Sequence, residues 1–290
     1  MKKIHYYIIL HITILIWGVT GILGKLINMP SSVIVIDRML VAFLTLALLM
    51  FFKKNKKKVS WKDKWQMLVV GVITAAHWLT FFEALKVSNV SLTLSCLASC
   101  SLFVALIEPL FFKTKFKAYE LILGLFVIFG IYIIFTFEYE YNLGVILSLI
   151  SALFAAIFTV WNASLIKQNS AHTIALYEML GGTIAMLVYF ILSGSIELQS
   201  IIPQGNDLMY ILILGIACTA LAFLLGIEVL RMLSPFTVSI SVNLEPIYAI
   251  LLALMIFGDS EIMSKEFYIG FAIILGTIIV NAYLKSNESL

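Results

Sequence analysis

The chain has 290 residues, of which 62% are hydrophobic and 12% charged, and its formal net charge is +3. Soluble domains are usually about 45–50% apolar and about a quarter charged, so water could not solvate a surface made from this mixture. That excludes a soluble enzyme as well as disordered and fibrous chains, and so small and uneven a charge does not point to nucleic acid. A polytopic membrane protein remains.

A helix crosses the roughly 30 Å hydrocarbon core with about 20 apolar residues. In chain order, ten runs meet that length: 5–27, 33–52, 65–86, 90–112, 117–136, 142–164, 172–192, 207–230, 235–257 and 267–284. The runs are continuous, unlike the short alternating segments of a membrane β-barrel. Lys2 and Lys3 precede the first run as they would in a signal peptide, yet the run is too long for a signal core and no small-residue cleavage site ends it, so it reads as a retained helix. With the N-terminus cytoplasmic, the inner breaks hold 15 of the 19 Lys and Arg residues, including the cluster in 53–64, against Lys86 and Lys265 outside. This bias predicts a multi-pass protein of the cell (inner) membrane with both termini cytoplasmic.

The two halves resemble each other. "GLFVIFG" (124–130) matches "GFAIILG" (270–276), which aligns Gly124 and Gly130 with Gly270 and Gly276 at an offset of 146. "EALKVSN" (83–89) lies over "EVLRMLS" (228–234) at 145, and "IDRMLVAFLTLALL" (36–49) over "LYEMLGGTIAMLVY" (176–189) at 140. Five runs per half is an odd number, so the second half enters the membrane from the opposite side. The expected fold is an all-α integral membrane protein: ten helices as two inverted five-helix repeats, 1–140 and 141–290. Inverted repeats of this kind build secondary transporters with a solute site near the midplane.

The stretches "IWGVTGILGKL" (16–26), "NLEPIYAILLALMIFGD" (243–259) and "FYIGFAIILGTIIV" (267–280), with their first-half counterpart at 99–134, resemble the drug/metabolite transporter superfamily, specifically proteins with two EamA-type domains. The resemblance covers essentially the whole chain. It implies ten helices around a central cavity and the export or exchange of small metabolites such as amino acids, with ion or proton coupling in some members. Two positions depart from the family's pattern. Cys100 stands where the fourth span often has proline, and Asp259 replaces a glutamate at the outer end of the ninth.

Polar groups inside lipid are costly and normally face a cavity or a partner. In chain order, Trp17 is a candidate cavity wall, although Gly21 and Gly24 on its helix equally favour close packing. Arg38 and Glu83 lie at similar depth in the outer third and are expected to pair. His77, with Trp78 beside it, lies near the midplane. Cys96 and Cys100 stand at i, i+4 and, with His77, offer three soft ligands, but buried free cysteine is ordinarily a packing residue. Ser148, Ala152, Ala155, Thr159 and Asn162 give the sixth span a small, polar face expected to turn inward. Glu178 lies in the inner third, nearest in level to His11, and either charged pair reads as a gate or as a structural link. Glu108, Glu228 and Arg231 are shallow and read as structural.

Glu245 stands out most. It lies about ten residues, or about 15 Å, into its span, and it precedes Pro246, which supplies no N–H to the carbonyl of Val242. Ser241 and Tyr248 fall on its face at i−4 and i+3, with Asn243 close by. The expected solute site therefore comprises Glu245, His77, Tyr248, Asn243 and Ser241, with Trp17 and Trp78 as walls. The expected partners are a small-molecule solute, protons if transport is coupled, and lipid; the protein is expected to be a monomer or homodimer without cofactor, metal or nucleic acid. An intramembrane enzyme is the weaker rival, since HExxH, GxSxG and the P-loop are absent from the sequence. A channel or receptor is the stronger rival.

Overall fold

The computed structural model describes residues 3–52, 58–137, 139–193 and 202–288. Lys2, Lys53, Lys54, Lys56, Lys57, Glu138 and residues 194–201 of the longest outer break lie outside the described residues. The described residues are almost wholly helical, and no strand occurs among them. In chain order the helices are α1 (Lys3–Leu26), α2 (Ser31–Phe51), α3 (Trp61–Val87), α4 (Val90–Leu97), α5 (Cys100–Phe112), α6 (Ala118–Phe137), α7 (Asn142–Leu165) and α8 (Ala171–Ser193). Then come α9 (Asn206–Ile213), a π-helical segment (Leu214–Leu221), α10 (Ala222–Val229), α11 (Pro235–Val242), α12 (Glu245–Phe257) and α13 (Lys265–Glu288). Among the described residues, eight stretches are long and apolar enough to cross a membrane: α1, α2, α3, Val90–Phe112, α7, α8, Asn206–Val229 and Pro235–Glu261. Ala118–Ile134 within α6 is a shorter apolar stretch.

Short polar side chains set the helix starts. Ser60 Oγ accepts from Asp63 N–H at 3.0 Å, so α3 begins four residues before the apolar run at 65 does. Asn89 Oδ1 accepts from Leu92 N–H at 2.8 Å and Ser234 Oγ accepts from Thr237 N–H at 3.2 Å, capping α4 and α11. These two caps are 145 residues apart, as are the bounds of α4 and α11 and those of α5 and α12.

Two runs read as single spans are broken. At Asn243–Leu244, three successive turns use i→i−3 bonds: Asn243 N–H to Ile240 O, Leu244 N–H to Ser241 O and Ile247 N–H to Leu244 O. Pro246 explains the break, because it leaves the Val242 carbonyl without its helical donor. The same pattern recurs at Ala98–Ser99, where Ala98, Ser99, Ser101 and Leu102 donate to Ser95, Cys96, Ala98 and Ser99. No proline stands there. Ser95 and Ser101 instead turn their hydroxyls onto the carbonyls of Ser91 and Ala98, which competes with regular helix.

Packing between the halves is reciprocal. α3 lies against α7 as α1 lies against α10, and α3 meets α8 as α2 meets the π segment. α2 meets α8, α4 meets α12, α5 meets α11, and α6 meets α13. At the α6–α13 crossing the backbones nearly touch: a Cβ on Gly130 would lie 2.6 Å from Gly270 O, so both positions need glycine. The two broken crossings also cap each other. Glu261, just past α12, accepts from the Val90 and Ser91 N–H groups at the start of α4, while Glu108 on α5 accepts from Phe236 N–H at the start of α11, at 3.0 Å. A carboxylate is well placed at a helix N-terminus. Asp259, the expected acidic residue there, is exposed, and Glu261 two positions on is the buried one.

Candidate functional site

The two helix breaks face one another at the centre of the bundle, where Asn243 Nδ2 donates to Ser101 Oγ at 3.4 Å. Beside them lies a cavity with about 1040 Å³ of empty space, its open mouth included. Its walls come from both halves: Trp17 and Thr20 on α1, Arg38 on α2, His77, Trp78 and Phe81 on α3, Ala155, Phe158, Thr159 and Asn162 on α7, and Phe223 and Gly226 on α10. Ala98 and Cys100 line it at the first break and Ser239, Asn243, Glu245 and Pro246 at the second.

A break in a helix brings backbone and polar side chains to a cavity that a continuous apolar helix would seal. Glu245 opens α12, is 6% exposed and accepts no hydrogen bond among the described residues. Its span is broken at the two residues before it, Asn243 and Leu244, so no continuous helical face joins Ser241 to Glu245 and Tyr248. Ser241 returns its hydroxyl to Thr237 O at 2.8 Å, and Tyr248 packs over Gly18 of α1; neither lines the cavity. The first break likewise separates Cys96, buried on α4, from Cys100 on the cavity wall, so these two share no continuous helix face.

His77 is tied to α7. Its Nδ1 lies 2.9 Å from Ser151 O and 2.8 Å from Ser151 Oγ, whose own proton goes to His77 O at 3.0 Å. A carbonyl only accepts, so Nδ1 carries the proton and a neutral ring keeps its lone pair on Nε2. Phe158 and Phe81 flank the ring at centroid distances of 5.4 Å and 6.2 Å, and Phe223 links Phe158 (5.9 Å) to Trp78 (5.7 Å). Trp17 fits only because position 226 is glycine: a Cβ there would fall 2.8 Å from the indole.

The charged pairs expected in the vestibules are not made. Glu83 is exposed on the outer face of α3, and Arg38, 1% exposed, turns inward instead. Its Nε and Nη2 donate to Thr219 Oγ1 at 3.0 Å and 2.7 Å, and its Cζ lies 3.8 Å from the Trp78 ring centre. His11 is exposed on the outer side of α1. Glu178 is fully buried behind the cavity wall, where Asn162 Nδ2 donates to it at 3.3 Å. On the small-residue face of α7, Ala155, Thr159 and Asn162 are cavity wall, whereas Ser148 and Ala152 are packed away from it.

Thr20, Thr219, Phe81, Phe158 and Phe223 were not singled out in the sequence. The phenylalanines carry no signal in a chain with 21 of them, and Thr219 depends on a π-helical turn that leaves no mark on apolar periodicity.

A multi-pass helical membrane protein built around an interior cavity of aromatic and unpaired polar groups has the architecture of a membrane transporter. The sequence places it within that class: residues 5–136 and 142–283 each match the EamA-like transporter family, and the chain belongs to that family. Among curated relatives, an "Uncharacterized transporter YxxF" of Bacillus subtilis (strain 168) is 28% identical over 249 residues, covering 83% of this chain and 78% of the relative. An "Uncharacterized transporter" of Clostridium kluyveri is 20% identical across 99% of this chain and 96% of its own, and one of Archaeoglobus fulgidus is 25% identical across 77% and 79%. A solved structure, described only as a crystal structure of a protein, superposes with a TM-score of 0.73 at 14% identity over the whole of both chains, which speaks to the fold alone.

Proposed function

We propose that this protein is a secondary transporter that carries a small metabolite, an amino acid or similar solute, across the cytoplasmic membrane by alternating access, in the direction of export or as exchange. In this reading the chain crosses ten times with both termini cytoplasmic, and residues 1–140 and 141–290 are two inverted repeats. The reciprocal contacts between the halves and the 145-residue spacing of the two helix breaks support it. The solute binds where the breaks meet, against Glu245, His77 and Asn243, with Trp17 and Trp78 as walls.

The observation that carries the proposal is Glu245: a carboxyl beside a broken helix, on the cavity wall, with no hydrogen-bond or ion-pair partner among the described residues. A buried group of that kind is retained at a cost, which a bound ammonium group or an exchanged proton would offset. The test is flux of a labelled amino-acid mixture into liposomes containing purified protein. Wild type should show saturation and counterflow, which a channel would not. Glu245→Gln should insert and fold yet lose most of the flux, and if exchange is with protons it should also lose its dependence on a pH gradient. Wild-type flux through that variant, at equal protein content, would mean the solute site lies elsewhere.

A further inference from the structure

Arg38 has the wrong surroundings for a structural cation. Of the five N–H donors on its guanidinium, Thr219 Oγ1 takes one from Nε and one from Nη2. Nη1 is buried with no acceptor, and no carboxylate lies within ion-pair distance among the described residues. A guanidinium keeps its charge when buried, so a full cation stands at the cavity wall held by a neutral hydroxyl and by the faces of Trp78 and, at 5.3 Å, Phe82. Leaving such a charge without a counterion inside a membrane protein is costly.

The surroundings are nevertheless built to hold it there. The π-helical turn brings Thr219 opposite α2, and the Thr219 hydroxyl proton is committed to Leu214 O at 2.7 Å, so its lone pairs are left for Arg38. Gly215 in the same turn lets α2 approach: a Cβ there would fall 2.5 Å from the Val41 side chain and 3.3 Å from Arg38 O. Trp78 supplies a flat surface at 3.8 Å from Cζ, which orients the guanidinium plane. The side edge, Nε with Nη2, is therefore occupied, and the end carrying Nη1 and Nη2 keeps its remaining donors. That end is the fork that donates to the two oxygens of a planar anion.

We propose that Arg38 is the anion-recognition residue of the cavity and that the transported solute carries a carboxylate, which docks end-on against Nη1 and Nη2 with its apolar body among Trp17, Phe158 and Phe223. This rests on the cavity being the solute site and adds the group that the solute must carry. The charge favours a monoanion. Among the described residues lining the cavity, the cation Arg38 and the carboxyl Glu245 have no ion-pair partner, and a phosphate dianion would meet repulsion from Glu245 that a carboxylate, alone or with an ammonium group beside it, meets less.

The test uses binding to the purified full chain in detergent, measured by thermal shift and by competition, with a panel of amino acids and apolar monocarboxylates, each paired with its own amide. An amide keeps the shape of the acid and removes its charge. At least one acid is expected to bind wild type about tenfold or more tightly than its amide. Arg38→Gln should remove that difference, while Arg38→Lys, which keeps the charge and loses the fork, should retain a reduced part of it. The acid–amide comparison needs no variant, so misfolding of Arg38→Gln would not spare the proposal. If no acid in the panel binds more tightly than its amide, or if Arg38→Gln keeps the preference, Arg38 does not read the anion. Flux without any acid preference overturns the assignment of Arg38 alone, and acid binding without flux overturns the transport reading alone.

Discussion

Replacing Glu261 with alanine is expected to loosen the fold far more than its place in a short connecting turn would indicate. The side chain is fully buried, and its carboxyl accepts from Val90 N–H at 3.2 Å, Ser91 N–H at 3.0 Å and the Ser91 hydroxyl at 2.8 Å. Alanine strands three buried donors at the start of α4. One unsatisfied buried polar group costs about 1–3 kcal/mol, and a carboxylate at a helix N-terminus is worth up to about 2 kcal/mol when partly buried. The three bonds share one acceptor group and are not additive, so the expected loss is about 3–5 kcal/mol. At roughly 2–4 °C per kcal/mol for chains of about this size, the unfolding midpoint should fall by about 6–20 °C. Glu261→Gln keeps one acceptor oxygen and should lose about half as much. Unfolding can be followed in detergent with a thiol-reactive dye, since Cys96 and Cys218 are buried until the fold opens. A fall of less than about 2 °C for the alanine variant would refute the reasoning.

Two further outcomes are expected. Gly226→Val should push the Trp17 ring into the cavity, because the first added carbon already falls 2.8 Å from it; flux should drop about tenfold or more, and Trp17→Leu in the same chain should restore the unfolding midpoint. If the second change brings no recovery, Trp17 is not what the glycine accommodates. Topology reporters fused after Asn55 and after Lys285 should read cytoplasmic and one within 193–206 external; an external signal at Asn55 would sink the ten-crossing arrangement.

The helices were legible because length and apolarity alone decide whether a segment crosses lipid. What happens inside a crossing was legible only where a residue forbids regular helix. Pro246 announces the break at Asn243–Leu244, but nothing comparable marks Ala98–Ser99, where serine hydroxyls and the contact from Asn243 to Ser101 hold the chain open. Glu245, His77, Asn243, Trp17 and Trp78 could be picked out by polarity, size and depth, which are properties of one helix at a time. The facing of Arg38 could not. It is set by Thr219, 181 positions further on, and by the pitch of a π-helical turn. Tyr248 and Ser241 lie off the cavity wall for a related reason: the face that would join them to Glu245 runs through a residue pair where there is no helix.

The two breaks are alike in shape and unlike in origin, and this gives them unequal stiffness. In the second half the bend is covalent, since no rearrangement of neighbours can give Pro246 an N–H. In the first half every residue from Val90 to Glu108 has its amide hydrogen, and the bend lasts only while Ser101, Asn243 and the Glu261 cap hold it. A motion that parts α4 from α12 would remove those bonds, and no proline then bars α4 and α5 from joining into one straight rod. The α11–α12 pair has no such second shape. Any motion at the two breaks therefore begins from parts that are not equivalent, with one acting as a fixed post and the other as a spring.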